Sequence, residues 1–247
     1  MIKQDRTVML IGLSGLVLAV LFSIAAMAAG LGNRWGLWDF RKGIDLFRWA
    51  AYGELLSTAI SLAGFILALI IRSKKSLIYA SAGLLIGIIG LSAPVSMWLT
   101  ARSVPPIHDI STDTETPPQF TMGRKLRKET DNPVGYGGPE IAKQQHEAYP
   151  DIQPLMLKVP PAQAFERALS AAQRMRWKIN HSSPEEGFIE ATDTTFWFGF
   201  KDDIVVRIIP HNSGSRIDVR SVSRVGRSDL GANAKRIRSF LEKMKGA

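Results

Sequence analysis

The 247-residue chain has 31 basic and 22 acidic side chains, 46% hydrophobic residues and no cysteine. Without cysteine, the sequence excludes disulfides, thiol nucleophiles, iron–sulfur clusters and the usual structural zinc sites. The charges are unevenly distributed, because residues 1–102 carry 10 basic and 4 acidic side chains whereas residues 103–247 carry 21 and 18. This composition predicts a membrane part followed by a water-soluble part.

Three apolar segments predict three transmembrane helices within residues 1–102. The segments span about residues 8–31, 50–71 and 77–99, and Glu54 is the one charged residue within them. At about 1.5 Å per residue, each helix is long enough to cross a hydrocarbon core of about 30 Å. Glu54 lies near one end of its segment, so we expect its carboxylate to reach interfacial water; the alternative is a functional acidic group.

The residues that flank these segments bear on the orientation. Basic side chains are balanced at five on each side of the membrane, but the short turn 72–75 carries only basic charges and favours the cytoplasm. The aromatic and basic loop 35–49 is predicted to lie on the membrane surface. We expect an integral protein of the bacterial inner membrane, with membrane lipid as a partner and the C-terminal domain in the periplasm.

The second part of the chain divides at about residue 158. Residues 103–158 contain eight prolines, which interrupt helices and strands, so an extended linker or arm is predicted there. Residues 159–247 predict a small α+β domain, because apolar residues recur at helical spacing after Pro161 and from Leu230 onward. Between these helices, alternating sequence predicts three to four antiparallel strands. The predicted fold is therefore three transmembrane helices followed by an antiparallel sheet with two flanking helices.

Three strings in the second part resemble one known family. They are Ile107–Phe120, Phe198–Asp203 and Asp218–Arg238. Together they are similar to the domain-of-unknown-function family DUF1499 over about residues 104–245, and the three apolar segments resemble its membrane-anchored bacterial members. The resemblance implies no activity and no catalytic residues.

A basic stretch near the end of the chain is the strongest candidate for a binding site. Alternation places Arg216, Arg220 and Arg224 on one strand face, and the next turn leads into a helix N-terminus, which favours anions. The arginine fork also matches phosphate or carboxylate. The predicted anion-binding residues are Arg216, Arg220, Arg224, Arg227, Ser228 and Lys235. The alternative is a salt-bridge network, for which the acidic residues are Asp218, Glu190 and Asp229.

A second set of polar residues is a candidate for acid/base chemistry. The set comprises His108, Asp109, Asp113, Asp202 and Asp203. Imidazole and carboxylate groups can cooperate in proton transfer, but side chains of these types also form and cap turns. The chain has no nucleophile elbow, Walker loop or dinucleotide-binding glycine motif. We expect no catalytic residue, metal site or cofactor.

An aromatic string, Phe196–Phe200, is the last feature of note. Alternation predicts that Phe196, Phe198 and Phe200 point into the core and that Trp197 is exposed. The alternative is a ridge that contacts lipid or a peptide.

These patterns favour a binding or scaffold module at the cell envelope, with an anionic lipid headgroup, a polymer or an envelope protein as partner. The alternative is a membrane-tethered hydrolase or transferase that acts on envelope material. Nucleic acid is not expected, because residues 103–247 have a net charge of only +3 and no aromatic residues between the arginines. The sequence leaves the oligomeric state open.

Overall fold

The computed structural model describes residues 2–246, which divide into two compact units. We call residues up to Leu99, together with Phe196–Gly199, the helical unit, and the remaining residues the sheet unit. The elements in chain order are α1 (Ile2–Arg34), α2 (Phe40–Ile70), α3 (Lys74–Ser103), β1 (Asp109–Ser111), α4 (Met122–Leu126), α5 (Pro139–Ala148), β2 (Leu155–Leu157), α6 (Pro161–Arg174), β3 (Lys178–Ser183), β4 (Phe188–Thr194), β5 (Lys201–His211), β6 (Gly214–Ser223) and α7 (Ala232–Lys245).

The helical unit contains three helices that are long and apolar enough to cross a membrane, which confirms this part of the predicted fold. Each helix extends beyond its predicted apolar segment, and the largest extension is at the start of α2. There the Asp39 side chain accepts hydrogen bonds from the backbone amides of Arg41 and Lys42, at 2.9 and 3.2 Å. This cap starts α2 at Phe40, so the predicted surface loop 35–49 ends in helix.

Glycines allow close approach of the three helices. A Cβ atom added at Gly64 of α2 would lie 3.1 Å from the Cα atom of Gly12 in α1. A Cβ atom added at Gly83 of α3 would lie 2.8 Å from the backbone nitrogen of Leu16. Larger residues at these positions would push the helices apart, as expected where small residues pack helices together.

The sheet unit is built on a six-stranded antiparallel sheet with the order β1-β6-β5-β4-β3, and β2 also pairs with β6. The sequence predicts three to four strands, and these are β3 to β6. The two additional strands have three residues each, which is too short for an alternating pattern to be recognised. Both lie in residues 103–158, so the segment predicted to be a linker or arm supplies two strands and the helices α4 and α5.

The two faces of the sheet differ in chemistry. One face carries the hydrophobic core beneath α6 and α7, the two flanking helices predicted from their periodicity, and Phe240 of α7 stacks on Trp177 with ring centroids 5.2 Å apart. The other face is covered by residues 112–135, which we call the cover segment. Phe120 and Val134 of the cover segment form a small apolar cluster on the sheet, but most other contacts there are polar.

Candidate functional site

Charged residues of the sheet, most of them on β5 and β6, meet charged residues of the cover segment on the face that this segment covers. The register pairs Arg207 with Asp218 across the two strands, and alternation places every second residue of β6 on the same face. We call this group the charged face; its members are Asp109, Asp113, Arg127, Glu190, Asp203, Arg207, Arg216, Asp218, Arg220 and Arg224.

Arg220 belongs to the charged face and has no exposed surface. Its Nε and Nη2 atoms donate to the two carboxylate oxygens of Asp109 at 2.9 and 2.7 Å. Its other neighbours are two carbonyl oxygens and two aromatic rings, those of Pro118, Val134, Phe120 and Tyr136. The guanidinium of Arg220 is thus held entirely by partners within the protein.

Two arginines and two aspartates form a cluster further along the charged face. Arg207 Nη2 donates at 2.8 Å to Oδ2 of both Asp113 and Asp218. Arg216 Nη2 donates to the same Asp113 oxygen at 2.8 Å and to Asp218 Oδ1 at 3.1 Å. Burial alone would raise the pKa of Asp113, but hydrogen bonds from Thr116 and Arg207 hold that pKa below its usual value.

Asp203 is the centre of a third group of ion pairs. Arg127 of the cover segment donates to Asp203 Oδ2 at 2.9 Å, and Arg224 Nη2 donates to Oδ1 at 2.7 Å. The Thr192 hydroxyl also donates to Oδ1, at 3.0 Å. Burial lowers the pKa of Arg127, although the Asp203 charge opposes this shift.

Glu190 provides the remaining buried charge of this face. Its carboxylate accepts hydrogen bonds from the backbone amides of Met122 and Gly123, at 3.0 and 2.6 Å, and from the amide and hydroxyl of Thr121. An acceptor of the protein itself therefore occupies the amides at the start of α4.

The structure gives the predicted anion-binding residues different roles. Arg216, Arg220 and Arg224 are paired with carboxylates, in the manner of the salt-bridge alternative. Ser228 accepts a hydrogen bond from the Leu230 amide at 3.2 Å. Arg227 and Lys235 are exposed.

The N-terminus of α7 is also occupied by a group from the protein. Asp229 accepts hydrogen bonds from the backbone amides of Gly231 and Asn233, at 2.8 and 2.7 Å. Burial raises the pKa of Asp229, and these two hydrogen bonds oppose the shift.

The predicted acid/base set does not form one hydrogen-bonded group, although Asp109, Asp113 and Asp203 all belong to the charged face. His108 Nδ1 lies 3.4 Å from the Arg227 carbonyl oxygen. The aspartates are ion-paired separately: Asp109 with Arg220, Asp113 with Arg207 and Arg216, Asp202 with Arg236, and Asp203 with Arg127 and Arg224. Asp202 and Asp203 point to opposite faces of β5, as alternation predicts. Within residues 2–246, no group of three histidine or acidic side chains is arranged to hold a metal ion.

A group of exposed basic residues lies at one end of the sheet, and the sequence argument missed it. Three hydrogen bonds connect its parts: Arg224 to the Leu126 carbonyl at 3.0 Å, Asn132 to the Gly226 carbonyl at 2.8 Å, and the Arg224 amide to the Lys201 carbonyl at 3.0 Å. We call this group the basic rim; its members are Arg124, Lys125, Lys128, Lys201 and Arg227.

A groove of about 630 Å³ opens beside the basic rim and is lined in part by Arg124 and Lys128. Two acidic residues, Glu129 and Asp131, also line it. A sequence signal for the rim exists, because four of the five residues 124–128 are basic. It was overlooked because that segment was predicted to be a linker, whereas the fold brings it beside the end of β6.

The comparisons with known proteins agree with the extent of the sheet unit. A family described as "Protein of unknown function (DUF1499)" matches residues 109–244, from the first residue of β1 to the last turn of α7. No curated protein matches the chain.

Proposed function

The chain belongs to the DUF1499 family, whose function is unknown, and we propose a role from its own residues. It is a membrane-anchored module that binds anionic lipid headgroups. In this proposal the three apolar helices cross the inner membrane of a bacterial cell. The sheet unit lies on the periplasmic side, where the basic rim contacts the headgroups.

The observation that carries the proposal is the difference between the buried and the exposed basic residues. The arginines of the charged face are paired with carboxylates beneath the cover segment, whereas the five side chains of the basic rim are exposed. Each basic side chain near an anionic membrane surface contributes about 1 kcal/mol of attraction. The rim therefore supplies the kind of surface that a lipid headgroup requires.

The position of the rim along the chain gives further support. Lys201 follows Gly199 by two residues, and Gly199 belongs to the unit with the apolar helices. Leu126, within the rim, is 40% exposed, and an apolar side chain among cations suits the boundary between headgroups and acyl chains.

Native mass spectrometry of the full-length chain tests the proposal by counting phosphatidylglycerol and phosphatidylcholine molecules that remain bound after release from mixed micelles. We expect preferential retention of phosphatidylglycerol. The double variant Lys125→Glu with Lys128→Glu should weaken this retention at least about thirtyfold, because the loss of two rim cations alone costs about 2 kcal/mol and the two new carboxylates repel the headgroups.

The matched control is Lys143→Glu with Lys158→Glu, which makes the same change in net charge at two exposed lysines outside the rim. This control should retain phosphatidylglycerol like the unmodified chain. Equal loss of phosphatidylglycerol retention in both double variants would mean that retention depends on net charge and not on the rim. No loss in either variant would rule out the rim as a headgroup site and favour a protein or polymer partner.

The membrane-tethered hydrolase or transferase has no comparable observation in its favour. The four aspartates of the predicted acid/base set are ion-paired with arginines, and no hydrogen bond among the described residues joins His108 to any of them.

A further inference from the structure

Glu54 is buried inside the helical unit, contrary to its predicted contact with interfacial water. It is the fifteenth of the 31 residues of α2 and is only 1% exposed. The prediction went wrong because the helix starts at Phe40, ten residues before the apolar segment. Glu54 therefore lies several turns from either end of its helix.

The polar contacts of Glu54 are hydroxyl groups. Ser23 Oγ of α1 donates to Glu54 Oε1 at 2.5 Å, and Ser57 Oγ approaches Oε2 at 3.2 Å. The Thr58 hydroxyl donates to the backbone carbonyl of Glu54 at 2.7 Å. Among residues 2–246, no basic side chain forms an ion pair with Glu54.

No other charged group lies on the surrounding helices at this level. In sequence, α1 has no charged residue between Arg6 and Arg34, and α3 has none between Lys75 and Arg102. On α2 the nearest is Arg48, which is paired with Asp45 at 3.0 Å. The titratable side chain nearest in sequence, Tyr52, is 58% exposed.

Glycines on the neighbouring helices make room for this polar face of α2. A Cβ atom added at Gly90 of α3 would lie 2.6 Å from Glu54 Oε1. Two turns along α2 from Glu54, Ser61 Oγ lies in a similar gap between Gly15 and Gly83. That hydroxyl is fully buried and has no hydrogen-bond partner. The polar face of α2 therefore extends beyond the hydroxyl groups that contact the Glu54 carboxyl group.

We propose that Glu54 is a proton-binding site within the membrane-spanning bundle. Oε1 accepts the Ser23 hydrogen bond, and Oε2 carries the proton and donates to Ser57 Oγ, whose own hydroxyl donates to the Glu54 backbone carbonyl at 2.9 Å. A buried carboxylate with no cationic partner is strongly disfavoured in an apolar medium, and proton uptake removes the charge. The inference depends on the proposal that the three helices cross a membrane, but not on headgroup binding by the basic rim.

Carbodiimide labelling of the full-length chain in lipid nanodiscs tests this inference. The acid proton moves to a carbodiimide nitrogen while the carboxyl oxygen bonds to the central carbon, so an O-acylisourea forms by addition and nothing leaves. We expect dicyclohexylcarbodiimide, which enters apolar regions, to label Glu54, as located by peptide mass spectrometry. A water-soluble carbodiimide should not label it.

Infrared spectroscopy of the same nanodiscs provides the second readout. A carbonyl stretch of a protonated carboxylic acid should be present at neutral pH, disappear in Glu54→Gln and shift in frequency in Ser23→Ala. Absence of both the label and the band from mildly acidic to mildly alkaline pH would overturn the proposal. Labelling is measured on the unmodified chain, so it decides the matter even if Glu54→Gln fails to fold. A separate loss of phosphatidylglycerol retention would affect only the proposal for the basic rim.

Discussion

A buried arginine is stable only when hydrogen bonds and an opposite charge offset the loss of its hydration. Arg220 satisfies this condition through Asp109 of β1 and through carbonyl groups of the cover segment. These contacts fasten residues distant in sequence to the middle of the sheet. We therefore assign the arginines of the charged face to positioning the cover segment, which carries three members of the basic rim.

This role leads to a stability prediction for Arg220. Arg220→Met should destabilise the chain by about 3–5 kcal/mol, because it leaves the Asp109 carboxylate buried without a partner. Combining it with Asp109→Leu should recover most of that loss, because no unpaired charge then remains. Thermal unfolding of the full-length chain followed by circular dichroism measures both effects.

The control for this prediction is an exposed ion pair in the same unit. Arg238 and Asp151 form a two-bonded pair, with side chains that are 40% and 54% exposed. Arg238→Met should cost less than about 1 kcal/mol, because water solvates the remaining carboxylate. Similar losses of stability in Arg220→Met and Arg238→Met would contradict the claim that burial makes the Arg220–Asp109 pair important for stability.

Alternation along β6 correctly predicted which arginines share a face, but it carried no information about their partners. Asp109 and Asp113 lie about a hundred residues earlier, in a segment whose prolines conceal a three-residue strand. Pairing over that distance depends on the tertiary fold, which local spacing does not encode.

At the level of elements, the connection between β4 and β5 is a turn that packs on α1 and α2. Trp197 Nε1 donates to the Met27 carbonyl at 3.2 Å, and the Trp197 ring meets Phe47 edge-on at 5.0 Å. Phe198 is 5% exposed and Phe196 is 84% exposed. The prediction that Phe198 is buried is confirmed. The prediction of Phe196 inside and Trp197 outside was wrong, because residues 196–199 are not a strand and a period of two does not apply.

A glycine on α1 makes the contact with Trp197 possible. A Cβ atom at Gly30 would lie 2.4 Å from the Trp197 indole, so Gly30→Val should displace the ring and break its hydrogen bond to Met27. Fluorine NMR of the chain labelled with fluorotryptophan measures this displacement, with Trp197→Phe to assign the resonance. Gly135→Val is the control, because nothing lies within 4 Å of its added Cβ. An unchanged Trp197 resonance in Gly30→Val would show that the contact is absent in solution.

At the scale of the whole molecule, the two units do not follow one another along the chain. The apolar segments predicted a boundary near residue 102, and the main boundary lies at Leu99. Four residues within the family match, Phe196–Gly199, nevertheless belong to the helical unit. No composition shift marks these four residues, because an aromatic string has the same appearance whether it packs on its own sheet or on separate helices.

This arrangement predicts that residues 100–247, produced without the helices, will self-associate. Trp197 and Phe198 would lose their partners on α1 and α2, and each large apolar side chain left exposed forgoes about 1.5–3 kcal/mol. Sedimentation velocity should show oligomers of the truncated chain, and Trp197→Ser with Phe198→Ser should return it to a monomer. In the full-length chain the same double substitution should be harmful: it should lower the melting temperature, because it removes contacts of Trp197 and Phe198 with α1 and α2. A truncated chain that is monomeric without the substitutions would show that residues 196–199 bury their aromatic rings without the helices.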